Sequence, residues 1–295
     1  MLAVAAPSIT ASTHYARDVV ERYRRDGYCV VPNLLTHDAV DAVLGEIELV
    51  VRTQLEALRI DGGPSLHGAM ELLLIADVER YLAAVRQTNK FLSVQELLFD
   101  RSIRRWLAAL GLDMPSVPTG PVVSIMSDCL RVPGGYFGLA PHQDWASMQG
   151  SLDAMIVWTP LTDVTAAQFP LDVIPQSHRR GLWEGTISES NREIDPSQYA
   201  DEDFVSLEVK RGDVVFMSAF TVHRTGLTHN GEPCRGLRIA CNTRVENTLE
   251  STFVERRFPC AYGRTVKREL MTPDFPQPSD LERVFGASQV ERALT

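Results

Sequence analysis

The fold of this chain is organised around residues 141–145, Pro-His-Gln-Asp-Trp, in which two side chains able to bind a metal stand two positions apart. The flanking residues are apolar and of β-forming types, so we predict a strand over 136–146. Every second side chain of a strand points to the same face. His142 and Asp144 should therefore direct a nitrogen and an oxygen towards one point.

A metal held by these two side chains needs a further ligand from elsewhere in the chain. The best candidate is His223, which lies in the β-prone run 220–224. Two histidines and one carboxylate form the facial triad that holds non-haem Fe(II) and leaves positions open for a co-substrate and oxygen. A lone His-x-Asp pair is common by chance, so the prediction depends on the rest of the chain.

The composition is that of an ordinary globular protein: 295 residues, of which 44% are hydrophobic and 23% charged. The net charge of −9 argues against nucleic acid and membrane as partners, because neither attracts an acidic surface. The five cysteines are widely spaced and include no Cys-x-x-Cys pair, which is typical of reduced thiols in a cytoplasmic protein. We expect no signal peptide and no membrane span, and a monomer or homodimer in the cytoplasm.

The hydrophobic pattern divides the chain into a helical part and a β-rich part. We expect a flexible tail over 1–13 and a single domain over 14–295. That domain comprises N-terminal helices over about 14–112, a core over about 118–246 and a C-terminal extension over 247–295. Helical periodicity occurs at 15–25, 38–58, 78–89 and 92–111, and a loop is predicted at 61–66.

Short β-prone runs separated by turn residues fill the core, without helices between them. These runs are 121–131, 136–146, 153–161, 171–175, 204–209, 213–218 and 237–245. The pattern predicts an antiparallel sandwich or jelly roll, so the fold class is mainly β with flanking α-helices. The polar segment 182–202 is expected to be a mobile insertion over the mouth of the barrel.

Four further stretches, together with 141–145, carry a family resemblance. They are 25–35 (Arg-Asp-Gly-Tyr-Cys-Val-Val-Pro-Asn-Leu-Leu), 157–163 (Val-Trp-Thr-Pro-Leu-Thr-Asp), 170–178 (Pro-Leu-Asp-Val-Ile-Pro-Gln-Ser-His) and 210–216 (Lys-Arg-Gly-Asp-Val-Val-Phe). In this order they resemble the phytanoyl-CoA dioxygenase-like branch of the Fe(II)/2-oxoglutarate-dependent oxygenases, over roughly residues 18–245. Gln176 departs from the family, which usually has glycine there.

The resemblance implies a double-stranded β-helix (a cupin-like jelly roll) with a helical N-terminal region. It also implies that His142, Asp144 and His223 are catalytic and bind Fe(II), with 2-oxoglutarate as co-substrate and O2 as oxidant. Related halogenases have a small residue where Asp144 stands, so the carboxylate favours hydroxylation or another oxidation over halogenation.

An arginine should bind the distal carboxylate of 2-oxoglutarate, because its guanidinium meets a carboxylate through two hydrogen bonds. Two arginines compete for this role, Arg235 and Arg238, and we favour Arg238. If 237–242 is a strand, Arg238 enters the barrel while Ile239 and Cys241 pack on the opposite face. The gap from the distal histidine to this arginine is longer than is usual in the family.

Three other residues are expected at the co-substrate. Thr225 stands where a hydroxyl of the family can assist the carboxylate, and Trp158 should line the pocket. Gln143 could contact 2-oxoglutarate or substrate at the end of its strand. We therefore expect a dioxygenase that hydroxylates a C–H bond of a small molecule, with a lean towards bacterial specialised metabolism. The alternatives are a metal-dependent cupin-type enzyme without 2-oxoglutarate and a non-catalytic jelly-roll binding protein.

Overall fold

The computed structural model describes residues 9–112, 114–132, 137–148, 151–187, 192–247, 253–254 and 271–272. Within these ranges the helices are α1 Ile9–Asp26, α2 His37–Ala57, α3 Leu66–Ala76, α4 Val78–Thr88, α5 Leu92–Leu98, α6 Arg101–Ala109 and α7 Trp145–Met148. The strands are β1 Tyr28–Val31, β2 Pro115–Met126, β3 Met155–Pro160, β4 Leu171–Val173, β5 Gly185–Ile187, β6 Arg192–Ile194, β7 Val205–Leu207, β8 Val214–Ser218, β9 His223–Thr225, β10 Thr228–His229, β11 Glu232–Pro233, β12 Arg238–Asn247, β13 Phe253–Val254 and β14 Met271–Thr272.

The larger sheet has the strand order β1-β8-β3-β12-β2, and all its neighbours are antiparallel. Both faces of this sheet are buried, because successive side chains along each strand point alternately into two different hydrophobic cores. On β8 and β12, Phe216 and Ile239 belong to the core shared with the helices. Val215 and Ala240 belong instead to the core on the opposite face. The alternation predicted for β12 from the sequence is thus present in the structure.

The smaller sheet has the order β7-β4-β9. A single-residue antiparallel bridge at His142 pairs with His223 of β9 on one side and with Glu193 of β6 on the other. The β5–β6 hairpin is thereby joined to this sheet. Side chains of both sheets form the core between them, among them Ile156 of β3 and Val173 of β4. Two facing antiparallel sheets with helices outside are the double-stranded β-helix, and the predicted fold class is confirmed.

The N-terminal helices cover the outer face of the larger sheet. In α2 the fully buried positions are spaced at three and four residues, which places them on one helical face: Val40, Val43, Ile47, Val51 and Leu55. The side chain of Thr36 accepts a hydrogen bond from the backbone N–H of Ala39 and caps the helix, as its sequence context predicts. Among the described helices, none combines the length and apolar character needed to cross a bilayer.

Several helix boundaries differ from the sequence-based expectations. Helix α1 begins at Ile9, so the tail expected over 1–13 is helical from that residue, and 1–8 lie outside the described residues. The helix predicted over 92–111 is two helices, because the side chain of Asp100 accepts from Ser102 N and starts a new helix. Helix α3 was not predicted, since its run of apolar residues at 72–75 conceals the helical period.

Two predictions within the core are corrected. The strand predicted over 136–146 is not formed in its described part, where His142 makes only a bridge and α7 begins at Trp145. Segment 182–202, whose polar sequence predicted irregular structure, contains the β5–β6 hairpin and a 3-10 turn at Pro196–Gln198, and its mobility stays a prediction. Most of the extension predicted over 247–295 lies outside the described residues. The single-domain organisation of 14–295 stays a prediction.

Candidate metal centre and co-substrate cavity

Three side chains that can bind a metal converge between the two sheets. His142, Asp144 and His223 each offer one ligand atom, and these atoms lie within 4.8 Å of one another. All three residues are buried. His223 Nε2 lies 3.3 Å from Asp144 Oδ2, and the two imidazole centroids are 4.1 Å apart. The structure therefore brings together the three residues singled out from the sequence.

The backbone places these side chains differently from the prediction. His142 and His223 are antiparallel neighbours, and each donates its N–H to the carbonyl of the other at 3.0 Å. Asp144 lies in a turn, where its carbonyl accepts from the N–H groups of Ser147 and Met148 and starts α7. The carboxylate thus comes from the entry to a short helix, whereas the two imidazoles come from paired extended segments.

The hydrogen bonds of the two imidazoles leave one nitrogen of each for a ligand. His142 Nδ1 lies 2.8 Å from the carbonyl oxygen of Ala140, and His223 Nδ1 lies 3.0 Å from that of Thr221. A carbonyl can only accept, so each Nδ1 carries a proton and each Nε2 is the nitrogen left to bind a metal. Burial lowers the pKa of His142 to about 3, so its ring is neutral at physiological pH. Two imidazoles and a carboxylate fit a divalent transition metal.

An arginine that sequence analysis did not single out holds the carboxylate. Arg244 donates from Nε and Nη2 to Asp144 Oδ1, at 3.0 and 2.6 Å. Burial alone would raise the pKa of Asp144, but the charge of Arg244 holds that pKa well below its usual range. The carboxylate is therefore ionised. Arg244 lies six residues after Arg238 on β12 and therefore points to the same face of the sheet. Continuing the alternation from Arg238 to Arg244 would have identified it.

A cavity of about 390 Å³ adjoins the three side chains. Arg238, Thr225 and Trp158 line it, so three of the four residues expected at the co-substrate face the same space. Arg238 is only 4% exposed, and its Nη1 lies 3.4 Å from Ser124 Oγ. Arg235 is exposed and absent from the described lining of this cavity.

The fourth expected residue, Gln143, lies outside the described lining of the cavity. Its amide nitrogen donates to the carbonyls of Gly181 and Phe220, at 2.8 and 2.6 Å. Its amide oxygen accepts from the N–H of Trp183 at 2.8 Å. The side chain thus ties the metal-binding segment to two neighbouring loops and does not reach the space where a co-substrate would bind.

The far wall of the cavity is apolar. Strand β2 is the edge of the larger sheet, and the cavity extends around it to α4. Helix α4 contributes Tyr81, Leu82 and Val85 to this wall. Leu130 and Val132, which follow β2, complete it. The cavity thus has a polar half near Asp144 and an apolar half near α4, the combination typical of small-molecule sites.

Residues 23–235 match the family model described as Phytanoyl-CoA dioxygenase (PhyH). Among curated proteins, the chain is 22% identical over 238 residues to the Phytanoyl-CoA dioxygenase domain-containing protein 1 homolog of Dictyostelium discoideum, covering 69% of this chain and 83% of that protein. It is 26% identical over 113 residues to the 1-deoxypentalenic acid 11-beta-hydroxylase of Streptomyces arenae, covering 36% of this chain and 40% of that one.

Solved structures show the same fold. The epimerase SnoN, in complex with Fe3+, alpha ketoglutarate and nogalamycin RO, superposes with a TM-score of 0.51 at 18% identity, covering 86% of this chain and 93% of that chain. The non-heme monooxygenase ThoJ superposes with a TM-score of 0.50 at 18% identity, covering 94% and 97%. At such identities the likeness shows the architecture alone.

Proposed function

This chain belongs to the phytanoyl-CoA dioxygenase (PhyH) family, and on that premise we propose that it is an Fe(II)- and 2-oxoglutarate-dependent dioxygenase that hydroxylates a C–H bond of a small molecule. One observation carries the proposal. The buried set of His142, Asp144 and His223 opens on a cavity that also contains the buried guanidinium of Arg238. The protein acts in the cytoplasm, as a monomer or homodimer.

The three buried side chains hold the metal. His142 and His223 would bind it through Nε2, because their Nδ1 atoms donate to backbone carbonyls. Asp144 presents Oδ2, because Oδ1 is held by Arg244. Bound Fe(II) would supply the open positions at which 2-oxoglutarate and O2 are activated for oxidation of the substrate. Since Asp144 is a carboxylate, no ligand position is vacated for a halide, which supports hydroxylation.

Arg238 binds the distal carboxylate of 2-oxoglutarate. A buried guanidinium is costly unless a carboxylate or other acceptors offset its lost hydration. The co-substrate provides such a carboxylate, and the fork of the arginine suits it. Thr225 faces the same cavity, although its Oγ1 also accepts from the N–H of Leu139 at 3.2 Å. Trp158 lines the cavity as well and excludes water from the co-substrate.

The substrate binds in the apolar half of the cavity, against α4 and the residues that follow β2. Tyr81, Leu82 and Val85 bury a carbon skeleton there and bring it towards the metal ligands. A hydroxylase of Streptomyces arenae, 1-deoxypentalenic acid 11-beta-hydroxylase by name, is among the relatives, which supports hydroxylation and a role in bacterial specialised metabolism.

The test is formation of succinate from 2-oxoglutarate by the purified protein supplied with Fe(II), ascorbate and air. The expected result is slow succinate formation without substrate, which requires Fe(II) and is abolished in His223→Ala. A matched control is His229→Ala, which replaces a half-buried histidine outside the described cavity lining. Bound Fe(II) without 2-oxoglutarate consumption would favour a cupin-type enzyme, and absence of Fe(II) binding would favour a non-catalytic binding protein.

A further inference from the structure

The two oxygens of Asp144 have different neighbours. Two donor nitrogens of Arg244, Nε and Nη2, converge on Oδ1, at 3.0 and 2.6 Å. Oδ2 instead lies 3.3 Å from Nε2 of His223, the nitrogen that is free to bind a metal. The side chains of Arg244 and Asp144 are 10% and 6% exposed, so water competes little for either. Arg244 therefore holds Oδ1 of the carboxylate by hydrogen bonds, whereas Oδ2 faces the metal-binding nitrogen of His223.

A carboxylate can bind a metal through one oxygen or through both. The lone pairs of Oδ1 are engaged by two charged N–H donors, and charge-assisted hydrogen bonds of this kind are the strong ones. Two-oxygen ligation would require Oδ1 to leave Arg244, which would then remain buried without its carboxylate. The geometry thus favours ligation through Oδ2 alone.

The charge of Arg244 acts in the same direction as its hydrogen bonds. The opposite charges of Asp144 and Arg244, 2.6 Å apart, largely cancel each other. The carboxylate therefore offsets little of the positive charge of a divalent metal bound here, and the metal would attract an anionic ligand more strongly. Without Arg244, the uncompensated carboxylate would neutralise part of that charge and repel the dianion of 2-oxoglutarate.

The position of Arg244 is fixed by the pairing of its strand with β3, whereas the register with β2 shifts on either side of this residue. Its strand β12 lies between β3 and β2, and Arg244 is opposite Ile156 on β3 and Thr119 on β2. The pairing with β3 is continuous from Ala240 to Val245. A side chain on a central strand is more precisely placed than one on a loop, which suits a residue that must hold another at a set orientation.

We propose that Arg244 is a positioning residue that restricts Asp144 to one-oxygen metal ligation, which would leave room at the metal for a chelating 2-oxoacid. The inference rests on the proposed function. It assigns to Arg244 an effect on co-substrate binding that acts through Asp144 and requires no contact with the co-substrate. Metal content and 2-oxoglutarate affinity should therefore respond differently to its loss.

The experiment loads the protein anaerobically with Fe(II), measures iron per chain, and then titrates 2-oxoglutarate while following the visible absorption of the Fe(II)–2-oxoacid chelate. Wild type is compared with Arg244→Met, which removes charge and donors, and with Arg244→Lys, which restores charge and one donor group. Arg211→Met is the matched control, because Arg211 also pairs with an aspartate, Asp41, but lies outside the described lining of the cavity.

Arg244→Met is expected to keep the wild-type iron content while its dissociation constant for 2-oxoglutarate rises by roughly tenfold or more. Arg244→Lys should recover part of that loss, and Arg211→Met should match wild type. Equal 2-oxoglutarate affinity in Arg244→Met and wild type would overturn the inference. So would loss of iron from both Arg244 variants, since the arginine would then govern metal retention. Failure of wild type itself to form the chelate would instead contradict the proposed function.

Discussion

The main chains of His142 and His223 exchange two hydrogen bonds, each 3.0 Å long, so that the two imidazoles project from one antiparallel pair. Their spacing is consequently set by the backbone of the smaller sheet, with ring centroids 4.1 Å apart. Carbonyls of Ala140 and Thr221 then orient the rings. A site held in this way needs little rearrangement to receive a metal.

The contact of Gly27 with His178 predicts a large loss of stability in Gly27→Ala. Gly27 has φ +82°, and a Cβ there would lie 2.4 Å from His178 Nδ1 and 2.6 Å from Thr221 Oγ1. Backbone strain and overpacking together should lower the free energy of unfolding by about 3 kcal/mol. Urea denaturation measures the loss.

Gly63→Ala is the matched control, because Gly63 has φ +63° and no atom would lie within 4 Å of its Cβ. Only the backbone term applies there, about 1 kcal/mol. Equal losses in the two variants would show that the packing of Gly27 against His178 contributes nothing.

The contrast between Arg238 and Arg235 predicts which arginine binds 2-oxoglutarate. Arg238 is 4% exposed and lines the cavity, whereas Arg235 is exposed. Losing a charge-assisted contact with two hydrogen bonds costs on the order of 2–4 kcal/mol, so Arg238→Ala should weaken 2-oxoglutarate binding roughly 30- to 1000-fold. Arg235→Ala should change it much less. Calorimetric titration of both metal-loaded variants decides, and the reverse order would refute the assignment.

Much of this site follows from local sequence patterns. The identities of His142, Asp144 and His223 come from residue type and strand context, and alternation along β12 places Arg238 inside and Ile239 outside. The same alternation places Arg244 inside the barrel, so its position could also have been predicted from the sequence.

Other features depend on contacts between distant segments and could not be predicted locally. Trp145 N donates to the carbonyl of Ala219, and its ring stacks on Phe220 with centroids 5.2 Å apart. These contacts accompany the turn after Asp144, where β-forming residues had predicted a strand. The amide of Gln143 is engaged by backbone groups of 181–183 and 220, which no spacing in the sequence indicates.

Burial of His178 predicts that the protein loses stability on mild acidification. Burial lowers the pKa of His178 to about 4, against about 6.5 in an unfolded chain. Between these values the unfolded state binds a proton that the folded state does not, so the free energy of unfolding falls as pH is lowered through this window. His142 contributes with the same sign in the metal-free protein.

The check is urea denaturation of metal-free wild type and His178→Gln at several pH values, from about 7.5, above the window that these pKa values set, down to about 4.5, inside it. Whatever its stability at neutral pH, His178→Gln should show a shallower decline. Identical slopes in the two proteins would mean that His178 does not titrate differently on unfolding.

The central claim is that His142, Asp144 and His223 together bind one Fe(II), and the iron content of anaerobically loaded, desalted protein tests it most directly. Wild type and the control His229→Ala should each retain one Fe(II) per chain. His142→Ala, Asp144→Ala and His223→Ala should each retain almost none, because two ligands hold Fe(II) far more weakly than three. Full iron content in His223→Ala, with its fold intact by circular dichroism, would contradict the account.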